Sequence, residues 1–268
     1  MFWVRTRSAA VIVIVALLSL IYGGNVLFGV LLVISMIGMM EILRVVEVNK
    51  TSLGAMGYLI TAVWFGIMYF DLCDKYALHV IIAYLMLIMC LYVFSFPKYT
   101  SEQITMAFFG LTYVVIMLSF IYRIRMLDNG LWLVWLVFMG SWISDTCAYC
   151  TGMLIGKHKL SPKVSPKKSI EGSLGGIIGA ALLGGLYAYF VRDKISMSIN
   201  PVVAFAIISG ASSIISQLGD LAASAIKRNK GIKDYGTLIP GHGGVLDRFD
   251  SVIFTAPIVY FLAVSFMK

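Results

Sequence analysis

Four acidic residues stand inside or beside apolar runs where hydrocarbon would make a charge costly. Asp145 lies in "SWISDTCAY", Asp220 in "SQLGDLAAS", and Asp247 and Asp250 in "GHGGVLDRFD". An ionisable residue at such a position is a functional candidate by default. Two basic segments accompany them. One carries Lys157, Lys159, Lys163, Lys167 and Lys168; the other carries Lys227, Arg228, Lys230, Lys233 and Arg248. Carboxylates hold Mg²⁺, phosphates bind the same ion, and Lys and Arg neutralise phosphate oxygens. Together these residue types point to chemistry on phosphates at a membrane edge.

Each acidic position also has a plainer reading. Ser213, Ser216, Gln217, Asp220, Ser224 and Lys227 recur at three- and four-residue steps, which makes one polar stripe on a helix. That stripe suits a polar cavity, or a packing seam of small residues with Asp220 paired to a lysine. Ser141, Ser144, Asp145 and Gly152 share a face in the same way. Asp247 and Asp250 suit a cation site. They equally suit the N-cap and first turn of the last helix. Gly241, Gly243 and Gly244 would let backbone N–H groups approach an anion. His242 is either a phosphate donor or acid, or a residue that shapes the loop. Cys147 and Cys150 form "CAYC", read as small packing residues in a membrane helix more readily than as a redox pair. The chain has no Gly-x-Ser-x-Gly elbow, HExxH motif or Walker P-loop, which leaves serine-triad, zinc and ordinary ATPase chemistry without support.

The elements that must position these residues are membrane helices. The chain of 268 residues is 60% hydrophobic and 13% charged. Its mean hydropathy is +0.93. Apolar runs lie within 9–40, where "YGGN" splits the run in two, and near 53–70, 76–96, 104–122, 131–155, 173–190, 201–225 and 250–267. This predicts an all-α polytopic membrane protein of about nine transmembrane helices, with a polar cavity open to the cytoplasm. The first run reads as a transmembrane helix rather than a cleaved signal, because equally apolar runs follow. The whole chain reads as one transmembrane domain. Helices in 1–122 are expected to serve lipid and oligomer contacts, and 131–268 to carry catalysis. The net charge of +8 needs no nucleic acid. With the N-terminus inside, 15 of the 21 Lys and Arg fall in inner segments, which places both basic loops in the cytoplasm and the C-terminus opposite.

Ser224-Ala-Ile-Lys-Arg228, Lys233-Asp234 and Ile239-Pro-Gly-His-Gly-Gly-Val-Leu-Asp-Arg-Phe-Asp250 together resemble the signature of the phosphatidate cytidylyltransferases, or CDP-diacylglycerol synthases. "SDTCAY" and "SPKKSIEG" resemble further family segments, which more often read SDTGAY and SPKKTWEG. The departures at Cys147, Ser169 and Ile170 leave Asp145, Lys167, Lys168 and Glu171 in place. The motifs cover the C-terminal half; the first four helices match only in number and apolarity.

The resemblance implies transfer of CMP from CTP to phosphatidic acid, with Mg²⁺, a possible second cation such as K⁺, and a homodimer in the bacterial inner membrane. On this reading Asp145, Asp220 and Asp247 bind metal. Asp220, Asp247, Lys167, Lys168 and Arg248 carry catalysis. Lys227, Arg228, Lys233, His242, Gly243, Gly244 and Ser224 contact substrate phosphates, and Asp250 and Glu171 support or cap. A CTP-dependent polyprenol kinase and a membrane transporter with a polar path are the rival readings.

Overall fold

The computed structural model of the chain describes residues 13–239, 241 and 243–267. The segment that would fix the N-terminus, and His242, lie outside the described residues. Among those described, eight helices are long and apolar enough to cross a membrane. A shorter apolar helix, α1 (Val13–Tyr22), precedes them. The eight are α2 (Gly24–Arg44), α3 (Ser52–Tyr69), α4 (Cys73–Phe94), α5 (Ser101–Met126), α6 (Gly130–Ile155), α7 (Ile170–Lys194), α8 (Pro201–Asn229) and α9 (Leu246–Phe266). The expected break in the first run falls at Gly23 and Gly24, with φ of 63° and 44°, a backbone that favours glycine. Polar residues start several helices. Thr51 accepts from the Gly54 amide, Thr100 and Gln103 cap each other reciprocally, and Asn200 accepts from Val202 behind Pro201.

Two compact units divide the chain. The first holds the described residues up to Ser119, with Asp234–Asp247. Met39, Ile42 and Leu43 of α2 are fully enclosed in its core. A Cβ on Gly57 would come within 2.9 Å of Leu43, so α2 and α3 approach closely there. Helix α4 buries only Cys73, Tyr84 and Ile88 and leaves Leu78, Met86 and Val93 exposed, as hydrocarbon contact requires. The glycine loop thus groups with the N-terminal helices.

The second unit holds residues 120–233 and 248–268. Here α6, α7 and α8 pack through small residues. A Cβ on Gly176 of α7 would come within 2.9 Å of the Ser144 carbonyl, and one on Gly179 within 2.6 Å of Cys147 Sγ. Cys147 is therefore a packing residue, and both cysteines of "CAYC" are free. The π-helical turn Met139–Ile143 directly precedes Ser144 and Asp145 in α6. Such wider turns occur often near functional side chains.

Three local expectations change. The lysine-rich segment, expected as a loop, forms an antiparallel hairpin of β1 (Lys159–Ser161) and β2 (Ser165–Ser169). Helix α8 runs on to Asn229. Helix α9 begins at Leu246, so Asp250 stands one turn inside it and cannot cap it.

Candidate active site

A cavity of about 320 Å³ opens among α6, the hairpin, α7 and α8. Its lining mixes polar residues, Asp145, Lys168, Ser173, Gln217 and Asp220, with the apolar Tyr149, Met153 and Leu160. The stripe on α8 builds this wall. Ser213 meets Ser144 of α6 at 2.6 Å, and Gln217 exchanges hydrogen bonds with Ser173 of α7, its side-chain amide reaching the Ser173 carbonyl at 3.1 Å. These contacts hold α8 with Asp220 turned to the cavity. The plainer reading of the stripe, a seam of small residues with Asp220 paired to a lysine, is seen here: Asp220 forms an ion pair with Lys168.

Further charges gather on Asp220. Asp145 lies within electrostatic reach of Lys168 and Asp220. Asp250 is buried at 8% exposure, with Asp220, Lys227 and Asp145 as its charged neighbours. Its Oδ1 accepts the Ser251 amide at 2.8 Å. Asp250 therefore joins the acidic group directly rather than capping a helix.

Three carboxylates in one poorly solvated region repel one another and call for positive charge. Lys168 supplies part of it. Carboxylate oxygens are the donors a hard divalent cation takes. Among the described residues, no three Asp, Glu, His or Cys side chains converge as an ion-binding group, and Lys168 lies against Asp220 instead.

The hairpin that carries Lys167 and Lys168 is clasped at its base. Glu171 accepts the amides of Lys157 at 3.1 Å and His158 at 3.2 Å, and meets His158 Nδ1 at 2.6 Å. Ser169, not Glu171, caps α7 by accepting the Gly172 amide. The expected capping role of Glu171 thus passes to Ser169. Lys167 is exposed at the cavity rim, while Lys168 is half-buried.

In the first unit two carboxylates hold backbone amides around the glycine loop. Asp247 Oδ2 accepts the Tyr235 amide at 2.8 Å and the Gly244 amide at 2.9 Å. Glu41 of α2 accepts the amides of Val245 and Leu246. Ile239 pairs with Gly243, and Gly241 and Gly243 have φ of 77° and 83°. The glycines thus make the turn. The Gly244 amide, expected to meet phosphate, is held by Asp247, and the amides of Val245 and of Leu246, which opens α9, are held by Glu41.

Ser224 and Lys227 are half-buried on α8, whereas Arg228, Lys233 and Arg248 are exposed. Sequence reasoning missed Glu41, His158 and Ser251. Glu41 alone carried a usable signal, an acidic residue closing an apolar run in "GMMEILR".

Comparison with known proteins adds a second line. A profile described as the cytidylyltransferase family matches residues 3–266. The phosphatidate cytidylyltransferase of Staphylococcus saprophyticus is 32% identical over 272 residues, covering 98% of this chain and 99% of that protein. That of Staphylococcus haemolyticus is 31% identical over 267 residues, with 98% and 99% covered. That of Thermotoga maritima is 32% identical over 167 residues, with 61% and 60% covered.

Proposed function

This chain belongs to the cytidylyltransferase family, and we propose on that premise that it transfers CMP from CTP to phosphatidate, giving CDP-diacylglycerol and pyrophosphate. The observation that carries the reading is the cavity where Asp145, Asp220 and Lys168 meet beside membrane helices. Its polar lining suits phosphates and its apolar lining suits a lipid. In this reading the lipid phosphate attacks the α-phosphorus of CTP and pyrophosphate leaves in line. A phosphate monoester has a second pKa of about 6, so the attacking oxygen is largely ionised at neutral pH and needs no strong base. The requirement is to align two anions and neutralise their charge.

Asp145 and Asp220, with Asp250 beside them, are the residues that would hold Mg²⁺. When bound, Mg²⁺ neutralises and orients phosphate oxygens; a second cation such as K⁺ belongs to the same proposal. Asp247 is assigned to the cation from the sequence signature and to the loop from its two amide contacts. Lys168 and Lys227 bring positive charge to the acidic group, and Lys167, Arg228, Lys233 and Arg248 meet phosphates from exposed positions. A homodimer in a bacterial cytoplasmic membrane completes the reading. Purified protein given CTP, phosphatidate and Mg²⁺ should form CDP-diacylglycerol. No lipid product under these conditions would defeat the reading.

Two further expected results follow from the basic segments. Lys168→Gln should lower kcat/KM about a hundredfold and Lys167→Gln about tenfold, since charge-assisted contacts to a carboxylate or a phosphate are worth roughly 1.5–3 kcal/mol and the half-buried lysine is the less screened. The losses should persist in detergent, where topology no longer matters. Full activity of both variants across a range of CTP concentrations would reduce the hairpin to a topology signal.

The hairpin and the segment 229–244 should face the cytoplasm. The check is labelling of single cysteines introduced there, with Cys90, Cys147 and Cys150 replaced by serine. An impermeant thiol reagent should reach them only after permeabilisation; labelling in intact cells would invert the topology.

A further inference from the structure

Glu41 lies near the end of the membrane-spanning part of α2, and only 1% of it is exposed. A carboxylate so placed is costly unless its lone pairs are met. Backbone meets them: Oε1 accepts the Val245 amide at 2.9 Å and Oε2 the Leu246 amide at 2.8 Å. Gly236 and Gly244 lie so close that a Cβ on either would overlap the carboxylate. Val245 directly precedes α9 and Leu246 opens it. Amides at a helix start have no acceptor within the helix. Glu41 therefore does from a distant helix what an N-cap side chain does locally. Asp247 works on the same loop, through Tyr235 and Gly244. Two carboxylates thus hold four backbone amides around the glycine turn.

We propose that Glu41 is a positioning residue for cytidylyl transfer: it fixes the glycine loop and the start of α9, and so the orientation of Asp247, without touching substrate. The assignment rests on the functional reading above. Its chemistry is specific to a carboxylate. A glutamine offers one acceptor oxygen where two amides converge, and its NH₂ would face the second amide donor to donor. Alanine would leave both amides buried without an acceptor.

The test compares full-length wild type, Glu41→Gln and Glu41→Ala in lipid nanodiscs by backbone hydrogen exchange and by initial rates. Exchange over residues 243–246 should quicken at least about tenfold in both variants, while α3 keeps its protection. With CTP and phosphatidate, kcat should fall at least about tenfold and the KM for CTP should move less than about threefold, because the loss is one of alignment. Should Glu41→Ala fail to fold, Glu41→Gln keeps the side-chain volume and carries the test. Unchanged exchange in Glu41→Gln would overturn the clamp. Faster exchange with an unchanged kcat would overturn the positioning role. A wild-type protein with no cytidylyl transfer would overturn the functional reading and the catalytic half of this assignment, recognisable because the exchange difference would remain.

Discussion

Asp220→Asn is expected to lower kcat by at least about a hundredfold while the protein keeps its thermal midpoint in detergent. Asp220 is the charge on which the second unit's site is built. It pairs with Lys168 and lies beside both Asp145 and Asp250. Asparagine keeps the volume and one acceptor oxygen, so the packing of α8 through Ser213 and Gln217 should survive. The negative charge is lost, and with it the strongest attraction for a divalent cation. Electrostatic stabilisation of this kind is worth several kcal/mol, which sets the hundredfold scale. The Mg²⁺ concentration needed for half-maximal rate should rise as well. A near-normal rate with unchanged Mg²⁺ dependence would remove Asp220 from the cation site.

Asp247→Asn is expected to be as damaging, again at least about a hundredfold, and Asp247→Ala no less so. The pair of variants separates two roles. As loop anchor, Asp247 uses a single oxygen to accept two amides, and asparagine can offer that oxygen. As cation ligand, it needs the charge that asparagine lacks. Equal losses in both variants, with a raised Mg²⁺ requirement, support the cation role. If Asp247→Asn keeps nearly normal rate and Mg²⁺ dependence while Asp247→Ala does not, Asp247 is an anchor alone.

The spans were readable because apolar runs of bilayer length carry little else, and the break at Gly23–Gly24 because two adjacent glycines punctuate one such run. The stripe from Ser213 through Asp220 to Lys227 is readable because the helical period is fixed. What the stripe would face is not, since Ser144, Ser173 and Lys168 come from three other elements. The hairpin escaped notice because Pro162 and Pro166 interrupt a short polar segment, and proline inside a run argues against a strand. The glycines of the loop are legible as a turn, but the acceptors around them are not: Asp247 accepts the Gly244 amide, and Glu41, more than two hundred residues away in sequence, accepts the Val245 and Leu246 amides that follow. Asp250 was placed at a helix start because the last apolar run begins there, whereas distant capping by Glu41 lets α9 start at Leu246.

The central claim is the bond that breaks in CTP, and isotope position tests it most directly. Purified protein is incubated with phosphatidate and Mg²⁺ and with CTP labelled in parallel at the α- or the γ-phosphorus. The α-label should enter the lipid phase only when phosphatidate is present, while the γ-label stays in water as pyrophosphate. Label from the γ-position appearing in lipid, or no phosphatidate-dependent lipid label from either position, would contradict the claim.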